Sequence, residues 1–125
     1  MAKYIELKDL EVYQISRELS SVCWAIYSAM GYEQKKIIGD QFIRSVDSVG
    51  ANIAEGYGRF HSLDQVKFYL TARASLFEAQ YHWTELLFER EMIKDEAFEQ
   101  IKSLSKKLEI KLNNFIKVTR NQLSK

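Results

Sequence analysis

Apolar residues recur at three- and four-residue steps along four successive blocks of this chain, the spacing of one helical face. The first block runs from about Asp9, a residue suited to capping, to Met30. It carries Val12, Ile15, Leu19, Val22, Cys23, Ile26 and Met30. The second, from about Glu33 to Tyr57, carries Ile38, Phe42, Val46, Val49, Ile53 and Tyr57, with Gly58 as its stop. The third opens at Ser62-Leu63-Asp64-Gln65, a spacing that predicts a reciprocal cap between Ser62 and Gln65. It continues through Val66, Tyr69, Leu70, Leu76, Phe77, Trp83 and Leu87 to about Glu89. The fourth starts near Asp95 and carries Phe98, Ile101, Leu108, Leu112, Phe115, Ile116 and Leu123.

The chain has no proline and 5 glycines, so little interrupts these blocks outside Gly31, Gly58 and the stretch Arg90 to Lys94. Short connections between long amphipathic helices predict antiparallel neighbours. The expected fold is all-α: an antiparallel up-down four-helix bundle with helices at about 9–30, 33–58, 63–89 and 95–123, in one domain over 1–125.

Helix 3 has a second, narrower stripe: Phe68, Ala72, Ser75, Ala79 and Leu86. It faces either another helix of the same chain or a second subunit. Aromatic residues make up 13% of this small chain, which tips the expectation towards a homo-oligomer.

Polar residues accompany the apolar faces. Arg44, Ser48, Asn52, Glu55 and Arg59 share one flank of helix 2, with Glu55 and Arg59 in the favourable acid-before-base order four apart. Arg73 and Gln80 fall near the middle of the apolar face of helix 3, where a charge needs a partner. The expectation is that Arg73 reaches Glu55 or Glu78 and that Asn52 completes the network.

Composition excludes several classes. The apolar and charged fractions, 46% and 28%, are those of an ordinary globular protein. No apolar run reaches the roughly 20 residues of a membrane helix. Met1-Ala2-Lys3-Tyr4-Ile5-Glu6 lacks the layout of a signal peptide. The lone Cys23 reads as a small buried hydrophobe in a reducing cytoplasm. Catalytic and metal patterns are weak. A di-iron bundle needs Glu-x-x-His on two helices, whereas Glu78 and His82 are one residue too far apart and occur once. His61 precedes a helix and reads as exposed. The Gly56-Tyr57-Gly58 stretch ends a helix, whereas phosphate loops precede one. No catalytic residue, cofactor or metal ligand is expected, and the chain reads as a non-enzyme.

Net charge is only +1, but its distribution is uneven. From Lys102 onward, Lys102, Lys106, Lys107, Lys111, Lys117, Arg120 and Lys125 stand against only Glu109, and the residues before Lys102 are net acidic. Such a helix is either a solvated face or a track for a phosphate backbone. No aromatic residue is evidently placed among those lysines to stack a base.

Leu10-Glu11-Val12-Tyr13, Ala51-Asn52-Ile53-Ala54-Glu55-Gly56-Tyr57-Gly58-Arg59, and Phe68 through Glu78 with Ala72-Arg73 and Ser75-Leu76 resemble the 23S rRNA intervening-sequence proteins. The resemblance spans nearly the whole chain. More distantly, the chain is similar to the accessory protein of diversity-generating retroelements, a pentameric bundle that binds a reverse transcriptase and nucleic acid. The resemblance implies a bacterial, cytoplasmic homopentamer with a central channel and no established enzymatic activity. It places Asn52, Glu55, Gly56, Arg59, Arg73, Ser75 and Glu78 at the family's signature positions. Two residues depart from the pattern: Gly50, where the family commonly has proline, and Ala74, where it often has glycine.

Two functions follow as expectations. In one, a homo-oligomer engages RNA or an RNA-processing protein through Lys102, Lys106, Lys107, Lys111, Lys117 and Arg120. In the other, the bundle is a protein-interaction scaffold, for example for a polymerase or reverse transcriptase, without direct nucleic-acid affinity. A contiguous basic face would favour the first. Lysines scattered and paired with neighbouring acids would favour the second.

Overall fold

The computed structural model describes residues 5–122. After a 3₁₀ turn at Leu7–Asp9 come four long helices. Helix α1 is Glu11–Ser28. Helix α2 covers 32–57, an α-turn at Tyr32–Gln34, a wide π turn at Lys35–Gly39 and the α-helix Asp40–Tyr57. Helix α3 covers 62–89, with Ser62–Glu78, a second π turn at Ala79–Trp83 and Thr84–Glu89. Helix α4 is Asp95–Asn121. No strand occurs among the described residues. Helix α2 packs against α1 and α3, and α4 closes the ring by packing against α3 and α1.

The apolar spacing has become the core. Val12, Ile15, Leu19, Cys23, Ile38, Phe42, Val46, Val49, Ile53, Val66, Tyr69, Leu76, Leu87, Ile101, Leu108, Leu112 and Ile116 are all buried in one cluster. Removing each large aliphatic side chain from water is worth about 1.5–3 kcal/mol. The second stripe of α3 is also internal: Ala72 and Ala79 are buried, and Phe68 lies against Gly56 of α2. It therefore meets a helix of the same chain.

Several local expectations are corrected. Asp9 belongs to the 3₁₀ turn, and Leu10 stands at the start of α1 with no side-chain cap. Ser62 and Gln65 do not cap each other. The Gln65 amide donates to the Arg59 carbonyl and the Ser62 hydroxyl donates to Gln122 Oε1, because His61 stands at the cap position and Ser62 is already inside the helix. Phe77 is not core but 64% exposed. Leu123, Lys125 and the amino-terminal Met1 to Tyr4 lie outside the described residues.

The ends of α2 and α3 differ. Gly58 ends α2 with an ordinary right-handed φ of −77°, its N–H bonded to the Ala54 carbonyl and the next N–H, of Arg59, to that of Gly56. Helix α3 closes in a Schellman motif: the Met92 N–H reaches the Leu87 carbonyl and the Glu91 N–H that of Phe88. Glu91 takes the left-handed position, φ 56°, that glycine usually fills.

Candidate functional site

The signature residues fall on facing flanks of α2 and α3, but they form several small contacts rather than one network. The Ser48 and Ser75 hydroxyls meet at 2.9 Å across the two helices. The Asn52 amide donates to the Ser48 carbonyl at 2.8 Å and to its hydroxyl at 3.0 Å. One turn on, Gly56 is buried where α2 and α3 approach closely. Beyond it the Arg59–Glu55 pair closes at 2.7 Å within α2, as the four-residue spacing predicts. The Arg59 guanidinium lies 4.8 Å over the Phe68 ring of α3. This pair is about half exposed, so its worth is in fractions of a kcal/mol.

Arg73 reaches neither Glu55 nor Glu78. It is exposed, at the rim of the bundle, and donates to the Asn113 side-chain oxygen of α4 at 3.2 Å. Glu78 instead accepts from the Trp83 indole at 2.6 Å. The helical wheel misplaced Arg73 because its side chain turns towards α4, away from α2. Gln80, by contrast, is buried as its position suggested, and its side-chain oxygen has no hydrogen-bond partner among the described residues.

A cleft of about 520 Å³ opens between α3 and α4. Its floor and walls include Leu70, Ala74, Phe77 and Tyr81, with Arg73, Glu109 and Asn113 at the polar side. The Phe77 and Tyr81 rings pack at 4.7 Å. Tyr81 donates its hydroxyl to Glu109 at 2.7 Å, and Lys106 reaches the other carboxylate oxygen at 3.1 Å. Burial pushes the Glu109 pKa up, but these two hydrogen bonds together with the Lys106 and Lys102 charges outweigh it and hold the carboxyl below its ordinary value. The same hydrogen bond to Glu109 raises the Tyr81 and Lys106 pKa values. Tyr81 and Asn113 were not singled out from the sequence. The available signal was the seven-residue spacing of Leu63, Leu70 and Phe77, which marks a stripe beside the core stripe.

The basic last helix is divided. At about 100° per residue, Lys102, Lys106, Lys117 and Arg120 lie on the α3 side of α4, and Lys107 and Lys111 on the opposite flank. Lys102 is committed to structure: its ammonium reaches Glu85 at 2.9 Å and the Gln80 carbonyl at 3.0 Å, and lies 4.6 Å over the Tyr81 ring. Lys106 pairs with Glu109, and Lys111 pairs with Glu11 of α1 at 3.3 Å. Lys107, Lys117 and Arg120 form no ion pair among the described residues.

Chemistry elsewhere is sparse. Cys23 is wholly buried, and burial, with the Asp47 carboxylate adding to it, pushes the thiol up to about 12. His61 is exposed, and the His82 ring packs edge-on against Trp83. Among the described residues no group of three or more His, Cys, Asp or Glu side chains is placed to hold a metal ion. No helix among them is long and apolar enough to cross a membrane.

Comparison with known proteins agrees with this architecture. No curated protein matches. Among solved structures, a protein of unknown function from the S23 ribosomal protein family of Bacteroides thetaiotaomicron superposes with a TM-score of 0.78 at 31% identity. The match covers 85% of this chain and 98% of that one. Residues 8–114 match the profile of the 23S rRNA-intervening sequence proteins. Four helices, the Ala51–Arg59 signature and this match together make the chain a member of the 23S rRNA-intervening sequence protein family.

Proposed function

We propose that this protein is a non-enzymatic, self-associating interaction module: one antiparallel four-helix domain, cytoplasmic and bacterial, that works by presenting helix surfaces to other macromolecules. The antiparallel arrangement is supported by the pairing of early with late residues in neighbouring helices. Ser20 meets Asp47 while Tyr27 meets Asp40, and Arg73 meets Asn113 while Tyr81 meets Glu109.

The observation that carries the reading is the set of large apolar side chains that the core leaves outside. Trp24 is 55% and Tyr32 75% exposed at the α1–α2 side, where Trp24 packs on Tyr27 and Tyr32 shares a cleft with it. Such faces mark contact sites. We assign self-association to this side; resemblance implies five copies. Sedimentation velocity of the wild type and of Trp24→Glu tests it. The expected result is a wild-type assembly heavier than one chain that Trp24→Glu dissociates; a monomeric wild type overturns the reading.

Direct RNA binding is the second reading, favoured by Lys107, Lys117 and Arg120, which form no ion pair among the described residues. The split of the basic residues over two flanks, and the pairing of Lys102, Lys106 and Lys111 with carboxylates, weigh towards protein contact. Anisotropy of a labelled RNA across a salt series, with charge reversal at Lys107 and Lys117, separates the two. A steep fall in affinity with salt, lessened by the reversal, would establish the RNA reading.

A further inference from the structure

We propose that the groove between α3 and α4 docks an amphipathic helix of a partner protein, its apolar ridge on Leu70, Phe77 and Tyr81 and its acidic flank facing Arg73, Lys106 and Lys117.

The groove has the length and floor for such an occupant. From Leu70 to Tyr81 the stripe rises about 16 Å, three turns of helix, at 1.5 Å per residue. Phe77 stands 64% and Tyr81 39% exposed along it, and Ala74 leaves depth between the larger side chains. Apolar anchors at successive turns beside a cleft fit the helix-in-groove mode of recognition. A nucleic acid fits this floor poorly, because the Phe77 and Tyr81 rings pack on each other at 4.7 Å instead of standing apart to stack successive bases.

Charge selects the occupant's flank. Glu109 is satisfied within the chain by Tyr81 and Lys106, so it presents no free acidic site. Arg73 is exposed, donates to a neutral amide oxygen, and forms no ion pair among the described residues. Lys106 lies three residues before Glu109, and Lys117 four residues after Asn113, which puts both on the groove's face of α4. Lys117 forms no ion pair among the described residues. The rim therefore carries three cations, one of them paired with Glu109, so two positive charges are left over to favour carboxylates on the partner.

This inference deepens the reading of the chain as an interaction module, and its test is independent of the Trp24→Glu experiment. The probe is a fluorescein-labelled helical peptide with leucines at i, i+3, i+4 and i+7 and glutamates on both flanks. A twin carries lysines in place of the glutamates. Anisotropy at physiological salt is expected to give at least about tenfold tighter binding of the acidic peptide, and a loss of about tenfold or more in Phe77→Ser. Arg73→Glu is expected to narrow or reverse the preference between the twins. Both substituted side chains are exposed, and thermal melts of the variants confirm that they fold.

Absence of binding, equal affinity for the two peptides, or an unchanged Phe77→Ser overturns the proposal. So does a change in sedimenting mass on Phe77→Ser, which would place a second copy of this chain in the groove. Displacement of the bound peptide by a single-stranded oligouridine would assign the groove to nucleic acid and equally overturn it.

Discussion

A Cβ atom on Gly56 would lie 2.7 Å from Cε1 of Tyr69, a buried ring on the facing helix, and 2.9 Å from Cβ of Phe68. The glycine of the signature is thus a steric requirement of the α2–α3 contact. Gly56→Ala gains about 1 kcal/mol of helix propensity. It forces overpacking against a buried ring and a neighbouring helix, which costs about 1–3 kcal/mol. The expected outcome is a lower melting temperature. Gly58→Ala is the contrast, since the nearest atoms to its Cβ are carbonyl oxygens at 3.6 Å and its φ suits alanine. It is expected to be neutral or to stabilise by up to about 1 kcal/mol.

Glu91 occupies the left-handed position of the α3 Schellman motif. An L-residue there costs roughly 1–2 kcal/mol, and glycine avoids that steric cost while gaining unfolded-state entropy. Glu91→Gly is expected to raise stability by up to about 1 kcal/mol in urea titration. A loss would mean that the Glu91 side chain makes a stabilising contact.

Stability is expected to fall at alkaline pH. Burial holds the Cys23 thiol up at about 12 against an ordinary 9.0, and the Tyr69 phenol up at about 12 against 10.0, with Tyr57 adding to the latter. Both groups stay protonated in the fold and release protons on unfolding. Their stabilising contribution is therefore complete below pH 9 and is lost as pH rises towards 12, with a limiting slope of about 1.4 kcal/mol per pH unit for each group. Cys23→Ala should flatten the portion that begins at pH 9. Urea titrations across pH measure the slope. At neutral pH Cys23 is expected to react with Ellman's reagent only at the rate of unfolding.

Lys102 and Lys117 should behave oppositely. Lys102→Met keeps the stem but removes the ammonium from Glu85 and from the Gln80 carbonyl inside the wide turn of α3. The expected cost is about 1–2 kcal/mol. Lys117→Met, exposed and without an ion pair among the described residues, should stay within about 0.5 kcal/mol. Thermal melts of the pair check whether α4 is basic for structural reasons at one position and free at another.

Periodicity located four helices and nearly all of the core because burial repeats with the helix itself. The Glu55–Arg59 pair was legible for the same reason, being a contact within one helix. Arg73 to Asn113 was not, because a bond across 40 residues of sequence leaves no local spacing to read. The cap expected between Ser62 and Gln65 failed because the helix begins one residue earlier, with His61 at the cap position, and Gln65 turns back to the Arg59 carbonyl. Phe77 was misassigned because an aromatic at the edge of an apolar arc suits either a core or a groove. Ser16, Ser45 and Thr119 sit in the interior unannounced, since each hydroxyl turns back to a carbonyl of its own helix and needs no distant partner.

The π turns were invisible because a stripe read at three- and four-residue steps takes in the extra residue as one more four-residue step, as from Leu76 through Gln80 and Thr84 to Leu87. At Ala79–Trp83 the Thr84 N–H reaches back five residues to the Ala79 carbonyl, so α3 holds one residue more than an unbroken α-helix spanning the same distance. That surplus gives the helix slack in length. Loss of one residue between Ala79 and Trp83 can be absorbed by tightening the turn, leaving Thr84 and Leu87 in the core. Loss of one residue elsewhere in α3 would rotate everything beyond it by about 100°. The wide turn is thus the place where this helix can change length and keep its register.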